Sequence, residues 1–147
     1  KKNGILVFGS RNRLFNLFSL NKFSKEELKK NTFKKFYDES ILLNNLKFKD
    51  FVKVKKNKFS ENLYKQPKTG INVYKRHQFS PLQIIDLLNK KKLKIIDIHP
   101  INYHPVLPTK FNNKKSQIFS NSIYYLKDDN KLPFIPFSSS FMVTAKK

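Results

Sequence analysis

The chain has 147 residues, with 31 Lys and Arg against 10 Asp and Glu, for a formal net charge of +21. That length suits one domain, and a 39% hydrophobic content with 15 Phe and 6 Tyr argues against a wholly disordered basic tail. Zero Cys excludes disulfides and thiolate metal sites, while the lack of a long apolar run or a signal-peptide pattern predicts a soluble, cytoplasmic protein.

A charge this positive ordinarily points to a polyanionic partner, because Lys and Arg displace counterions from phosphates. Here only Arg11, Arg13 and Arg76 are arginines, whereas base-edge and bidentate phosphate recognition favour the guanidinium fork. The lysines are spread among Asn, Phe and Ile, and all four residue types have A/T-rich codons, so the drift of an A/T-rich genome is sufficient to account for them. The sequence passes from Lys1-Lys2-Asn3-Gly4 straight into Ile5-Leu6-Val7-Phe8, a start that fits a fragment better than an intact gene product.

In chain order, Gly4-Ile5-Leu6-Val7-Phe8-Gly9 is a short apolar run between glycines, which predicts a strand buried on both faces of a parallel sheet. Residues 11–21 follow with Leu14, Leu17 and Phe18 on one helical face, widened by Phe15. Ser24-Lys25-Glu26-Glu27 has the form of a capping box, which predicts a second helix capped by Ser24. Residues 31–70 are weakly patterned and close on the loop Gln66-Pro67-Lys68-Thr69-Gly70. Ser80-Pro81-Leu82-Gln83 combines an N-cap serine, a proline at the first helical position and a glutamine three after the cap. The helix it opens carries Leu82, Ile84, Ile85, Leu87 and Leu88 and ends at Lys90-Lys91-Lys92, cations that suit a helix C-terminus. Leu93-Lys94-Ile95-Ile96-Asp97-Ile98 is the next expected strand, stopped by His99-Pro100. A proline-rich stretch and a polar stretch lead to residues 138–147, a terminal strand. The order is therefore strand, helical insertion, helix, strand, loop, strand, which implies a parallel, right-handed crossover in an α/β layer.

Several strings resemble the class I S-adenosylmethionine-dependent methyltransferases. Asn3-Gly4-Ile5-Leu6-Val7-Phe8 is similar to the fifth strand of that family. The helix from Pro81, the strand from Leu93 and the run Phe141-Met142-Val143-Thr144-Ala145-Lys146 resemble its last helix and its sixth and seventh strands, the seventh being antiparallel. The strings Arg11-Asn12-Arg13-Leu14-Phe15-Asn16, Arg76-His77-Gln78-Phe79-Ser80-Pro81 and Tyr103-His104-Pro105 are similar to a bacterial subgroup. The resemblance implies the C-terminal part of a Rossmann-like sheet over residues 1–147, with residues 11–70 as a helical insertion or cap. The glycine-rich cofactor loop and the acidic residue after the second strand lie upstream of this segment in the family. S-Adenosylmethionine would then be the cofactor, with its main binding loop outside this chain, and the fragment alone would be inactive.

In a parallel α/β sheet, ligands sit beyond the carboxyl ends of the strands. Arg11 and Asn12 would leave the end of the first strand and Tyr103 and His104 the end of the second. Arg76, Gln78 and the Ser80 helix N-terminus would face the same rim, a setting suited to an anionic small-molecule acceptor. The resemblance implies methyl transfer, with His104 as general base and Tyr103 orienting or covering the substrate. Arg11, Asn12, Arg76 and Gln78 would bind substrate. Against these roles stand ordinary ones: a loop histidine, arginines paired with Asp38, Glu39 or Asp97, turn and cap asparagines, and core packing for Phe15 and Phe18. His77, His99 and His104 lack a nearby carboxylate at ligand spacing, so no metal is expected. Two further function classes fit the charge: a basic, ribosomal-type RNA-binding protein, and a membrane-surface module built on basic amphipathic helices within residues 11–35.

Overall fold

A computed structural model of the chain describes residues 4–54, 64–65, 77–105 and 130–147. Its centre is a three-stranded sheet in the order β1-β5-β4, formed by β1 (Ile5–Arg11), β4 (Lys94–Tyr103) and β5 (Ser138–Lys146). Both pairings are antiparallel, with Phe8 opposite Val143 and Ile98 opposite the same Val143. A short second pair joins β2 (Tyr64–Lys65) to β3 (His77–Gln78), also antiparallel.

This overturns the expected parallel Rossmann-like sheet. β1 and β4 run in the same direction but do not pair; β5 lies reversed between them and bonds to both. The crossover argument assumed that two apolar strands joined through a helix become neighbours. The terminal strand competes for the same edges, and its inward side chains Phe141, Val143 and Ala145 are all fully buried, at roughly 1.5–3 kcal/mol for each large apolar side chain. β1 was also expected to be buried on both faces, yet it is an edge strand in this sheet, and Ile5, Leu6 and Val7 are exposed.

Between β1 and β4 come α1 (Phe15–Phe18), α2 (Lys22–Lys29), α3 (Phe33–Asn45), α4 (Phe48–Phe51) and α5 (Pro81–Lys90). Leu14, Leu17, Phe36, Leu43, Phe51 and the α5 residues Leu82, Ile85 and Leu88 share one core with Ile95, Ile98 and the inner face of β5. The α5 start is as the sequence predicts. Ser80 Oγ accepts from Gln83 N–H at 3.4 Å, Gln83 Oε1 accepts from Ser80 N–H at 2.9 Å, and Pro81 occupies the first turn. The α2 start is shifted by three residues. Asn21 is the cap, accepting from Phe23 N–H, and Ser24 is the residue that reaches back, accepting from Asn21 N–H. Asn21 and Ser24 thus satisfy two first-turn donors, the N–H groups of Phe23 and Asn21, and Glu27 is left for the interior.

Both α2 and α5 close in the same way. Asn31 N–H donates to Leu28 O and Thr32 N–H to Glu27 O, while Lys92 N–H donates to Asn89 O and Leu93 N–H to Leu88 O. The reversing residues, Asn31 and Lys92, have φ of 54° and 55°, the left-handed turn of a Schellman motif. β4 runs through His99-Pro100, where the sequence suggested a stop, and pairs Pro100 with Phe141. An edge strand tolerates proline because its missing N–H faces away from the ladder. Leu132–Phe137 forms a 3-10 helix that leads directly into β5.

Candidate active site

The ends of β1 and β4 and the start of β5 meet at one rim, and Asn12 holds it together. Its Nδ2 donates to Ile135 O at 2.6 Å and to Ser138 O at 2.9 Å, and its Oδ1 accepts from Leu14 N–H at 3.0 Å. The side chain therefore clamps the 3-10 helix and the β5 entry to the turn before α1. Asn12, expected to contact substrate, is buried, and its donors and acceptor are engaged in clamping these elements.

The clamp brings aromatic rings together. The His104 ring lies 4.9 Å from Phe15, Phe18 lies 4.7 Å from Phe137, and Tyr103 meets Phe134 edge-on at 5.5 Å. His104 N–H donates to Phe137 O at 2.9 Å, tying the end of β4 to the 3-10 helix. Phe15, Phe18, Tyr103, His104 and Phe134 are half-buried and Phe137 is exposed, so the rim offers apolar faces to the outside. Burial lowers the His104 pKa and raises that of Tyr103, which leaves a neutral imidazole and a neutral phenol near neutral pH.

Beneath the rim is a buried polar network that the sequence reading did not single out. Arg13 and Glu27, 2% and 0% exposed, form a bidentate pair with both N–O distances 3.0 Å. Glu27 also accepts from Asn16 Nδ2 and from Thr32 Oγ1, and Asn16 Nδ2 donates to Gln78 Oε1 at 2.9 Å. The Arg13 guanidinium sits 4.4 Å above the Phe36 ring. Gln78, expected to bind substrate, is thus an internal link between β3 and α1.

The expected anion site at the α5 N-terminus is filled by the chain itself. Glu39, fully buried, accepts the Leu82 N–H at 2.8 Å through Oε1. Desolvation raises its pKa to about 7, against the lowering effects of the Leu82 N–H, Ser80 and Arg13. One signal for this residue was available: Phe36, Glu39, Ser40 and Leu43 fall on one helical stripe, and all four are buried. Glu27 carried no comparable signal, since its neighbours on α2 are mostly charged.

Of the other expected site residues, Arg11 is exposed at the end of β1, and Arg76 lies outside the described residues. Among the described residues, no three His, Asp or Glu side chains gather to hold a metal ion, and no helix is long and apolar enough to cross a membrane. Of the expected catalytic pair, His104 stands against Phe15 and Tyr103 against Phe134. Comparisons with protein-family models, with curated proteins and with solved structures each find no match to this chain.

Proposed function

We propose that the chain supplies the substrate-side part of a cytoplasmic, S-adenosylmethionine-dependent methyltransferase acting on a small-molecule acceptor. The observation that carries the reading is the half-open aromatic rim in which His104 stands against Phe15 and Tyr103 against Phe134. S-Adenosylmethionine, when bound, supplies an electrophilic methyl group on a sulfonium. The half-open faces of Phe15, Phe18 and Phe137 suit such a cation. Among the described residues there is no glycine-rich loop for the adenosine end. The same rings would receive the apolar body of the acceptor and exclude water, and His104, kept neutral by burial, would take the proton that a hydroxyl acceptor releases.

The test is cofactor binding followed by turnover, using the natural protein that carries this sequence. Titration calorimetry should detect S-adenosylmethionine, and a labelled methyl group should pass to hydroxyl or amine acceptors. His104→Ala should lower kcat by at least about a hundredfold with little change in KM for the cofactor. Absence of cofactor binding rejects the proposal.

A second reading, RNA binding, is favoured by one observation: every lysine in residues 4–54, 77–105 and 130–147 except the half-buried Lys131 is exposed. Affinity for RNA that falls steeply with ionic strength, without any cofactor binding, would favour it over methyl transfer.

A further inference from the structure

The first half of β1 has the composition of a buried strand and the exposure of a surface one. Ile5, Leu6 and Val7 are 69, 41 and 53% exposed. Scattered apolar side chains on a surface are ordinary, whereas three in succession on a sheet edge mark a place for another chain.

Among the described residues the outer side of that stretch's backbone is unpaired as well. Asn12 N–H donates to Ser139 O and Lys147 N–H to Gly4 O, which sets the phase of the ladder. Even-numbered residues of β1 turn their polar groups to β5, and Ile5, Val7, Gly9 and Arg11 turn theirs outward. At Arg11 the outward carbonyl accepts Phe79 N–H at 3.2 Å, and Phe79 O accepts Arg13 N–H at 2.9 Å, in a parallel bridge between Asn12 and Phe79. One end of this edge thus already receives an extended segment. At Ile5, Val7 and Gly9 no described residue does so.

On β1 and its neighbour β5 the charge has one sign. Lys146 lies opposite Ile5 and Arg11 stands at the far end of the strand, while Asp97, opposite Thr144, is set one strand further away on β4. Neither β1 nor β5 contains an Asp or Glu.

We propose that the β1 edge from Ile5 to Gly9 is a docking site for an extended acidic segment of a partner protein, which adds to the sheet as a strand. Its backbone takes the outward groups of Ile5, Val7 and Gly9, its apolar side chains lie beside Ile5 and Val7, and its carboxylates lie toward Lys146 and Arg11. A second copy of this chain is the poorer occupant, because it brings a further +21 and sets lysines and Arg11 of both copies along one short interface. The inference is independent of the methyl-transfer reading.

Titration of the protein with two short blocked peptides, one alternating Val with Glu and the other Val with Lys, tests it. The Glu peptide should bind at least about tenfold more tightly at ~50 mM salt, with the gap closing near ~0.5 M, and should slow amide exchange at Ile5 and Gly9. Val7→Pro removes an outward N–H without touching a donor to β5, and should cut the affinity at least about tenfold. Val7→Glu, which keeps every backbone donor, should weaken the Glu peptide by repulsion. Equal affinity for the two peptides, unprotected amides, or undiminished binding by both variants would overturn the proposal. So would a concentration-dependent dimer in sedimentation that Val7→Pro abolishes, since the occupant would then be a second copy.

Discussion

Glu39 contributes a pH dependence to the stability of this fold. Its carboxyl is fully buried, bonded through Oε1 to the Leu82 N–H, and its pKa is raised to about 7 from 4.5. A folded-state value above the unfolded one means that the folded chain holds the proton more tightly. The associated stability is fully present below about pH 4.5 and is lost as pH rises through the folded value near 7. At about 1.4 kcal/mol per pKa unit, the span corresponds to roughly 3 kcal/mol. Glu39→Gln keeps an acceptor for Leu82 N–H and cannot ionise, so its stability should lack this slope. Its amide also adds a donor at Oε2, a buried atom with no hydrogen-bond partner, which lowers its stability uniformly. The decisive quantity is therefore the change with pH in the difference between variant and wild type. Urea denaturation of both proteins between pH 5 and 8 measures it, and the subtraction cancels the histidines common to both. The variant should gain roughly 2–3 kcal/mol on wild type across that range. Parallel curves would show that Glu39 stays ionised throughout, held by Arg13, and would refute the argument from desolvation.

Two further outcomes follow from the packing. Arg13→Leu leaves Glu27 buried without its bidentate partner and should destabilise the fold by about 3–5 kcal/mol in thermal or urea denaturation, whereas Arg13→Leu with Glu27→Leu should recover much of that loss. Lys92 closes α5 in the left-handed region at φ 55°, so Lys92→Gly should raise stability by about 1 kcal/mol, seen as an increase in melting temperature.

The rim and the network beneath it differ in how much of them can be read from residue order. Tyr103 and His104 were identifiable because they follow an apolar run closely, and the end of a strand is a place that sequence can locate. The roles of Asn12 and Gln78 were not, because an asparagine that binds substrate and one that bonds Ile135 O and Ser138 O are the same letter in the same position. The partner carbonyls lie more than a hundred residues away. The Arg13–Glu27 pair was hidden for a related reason: a charge is ordinarily solvated, and only the convergence of Arg13, Asn16, Thr32 and Gln78 makes its burial affordable.

What the residue order determined by itself is local. Ser80, Pro81 and Gln83 start α5 with interactions confined to four residues, the basic Lys90 to Lys92 turn ends it, and the apolar alternation of β5 marks a strand. Tertiary structure decided which strands are neighbours. β1, β4 and β5 carry similar apolar runs, and nothing within any one of them states which edge it takes. The order β1-β5-β4 arises because β5 buries Phe141, Val143 and Ala145 while bonding on both sides. That leaves β1 and β4 on the outside, an arrangement settled by the competition of whole strands for two edges and one core.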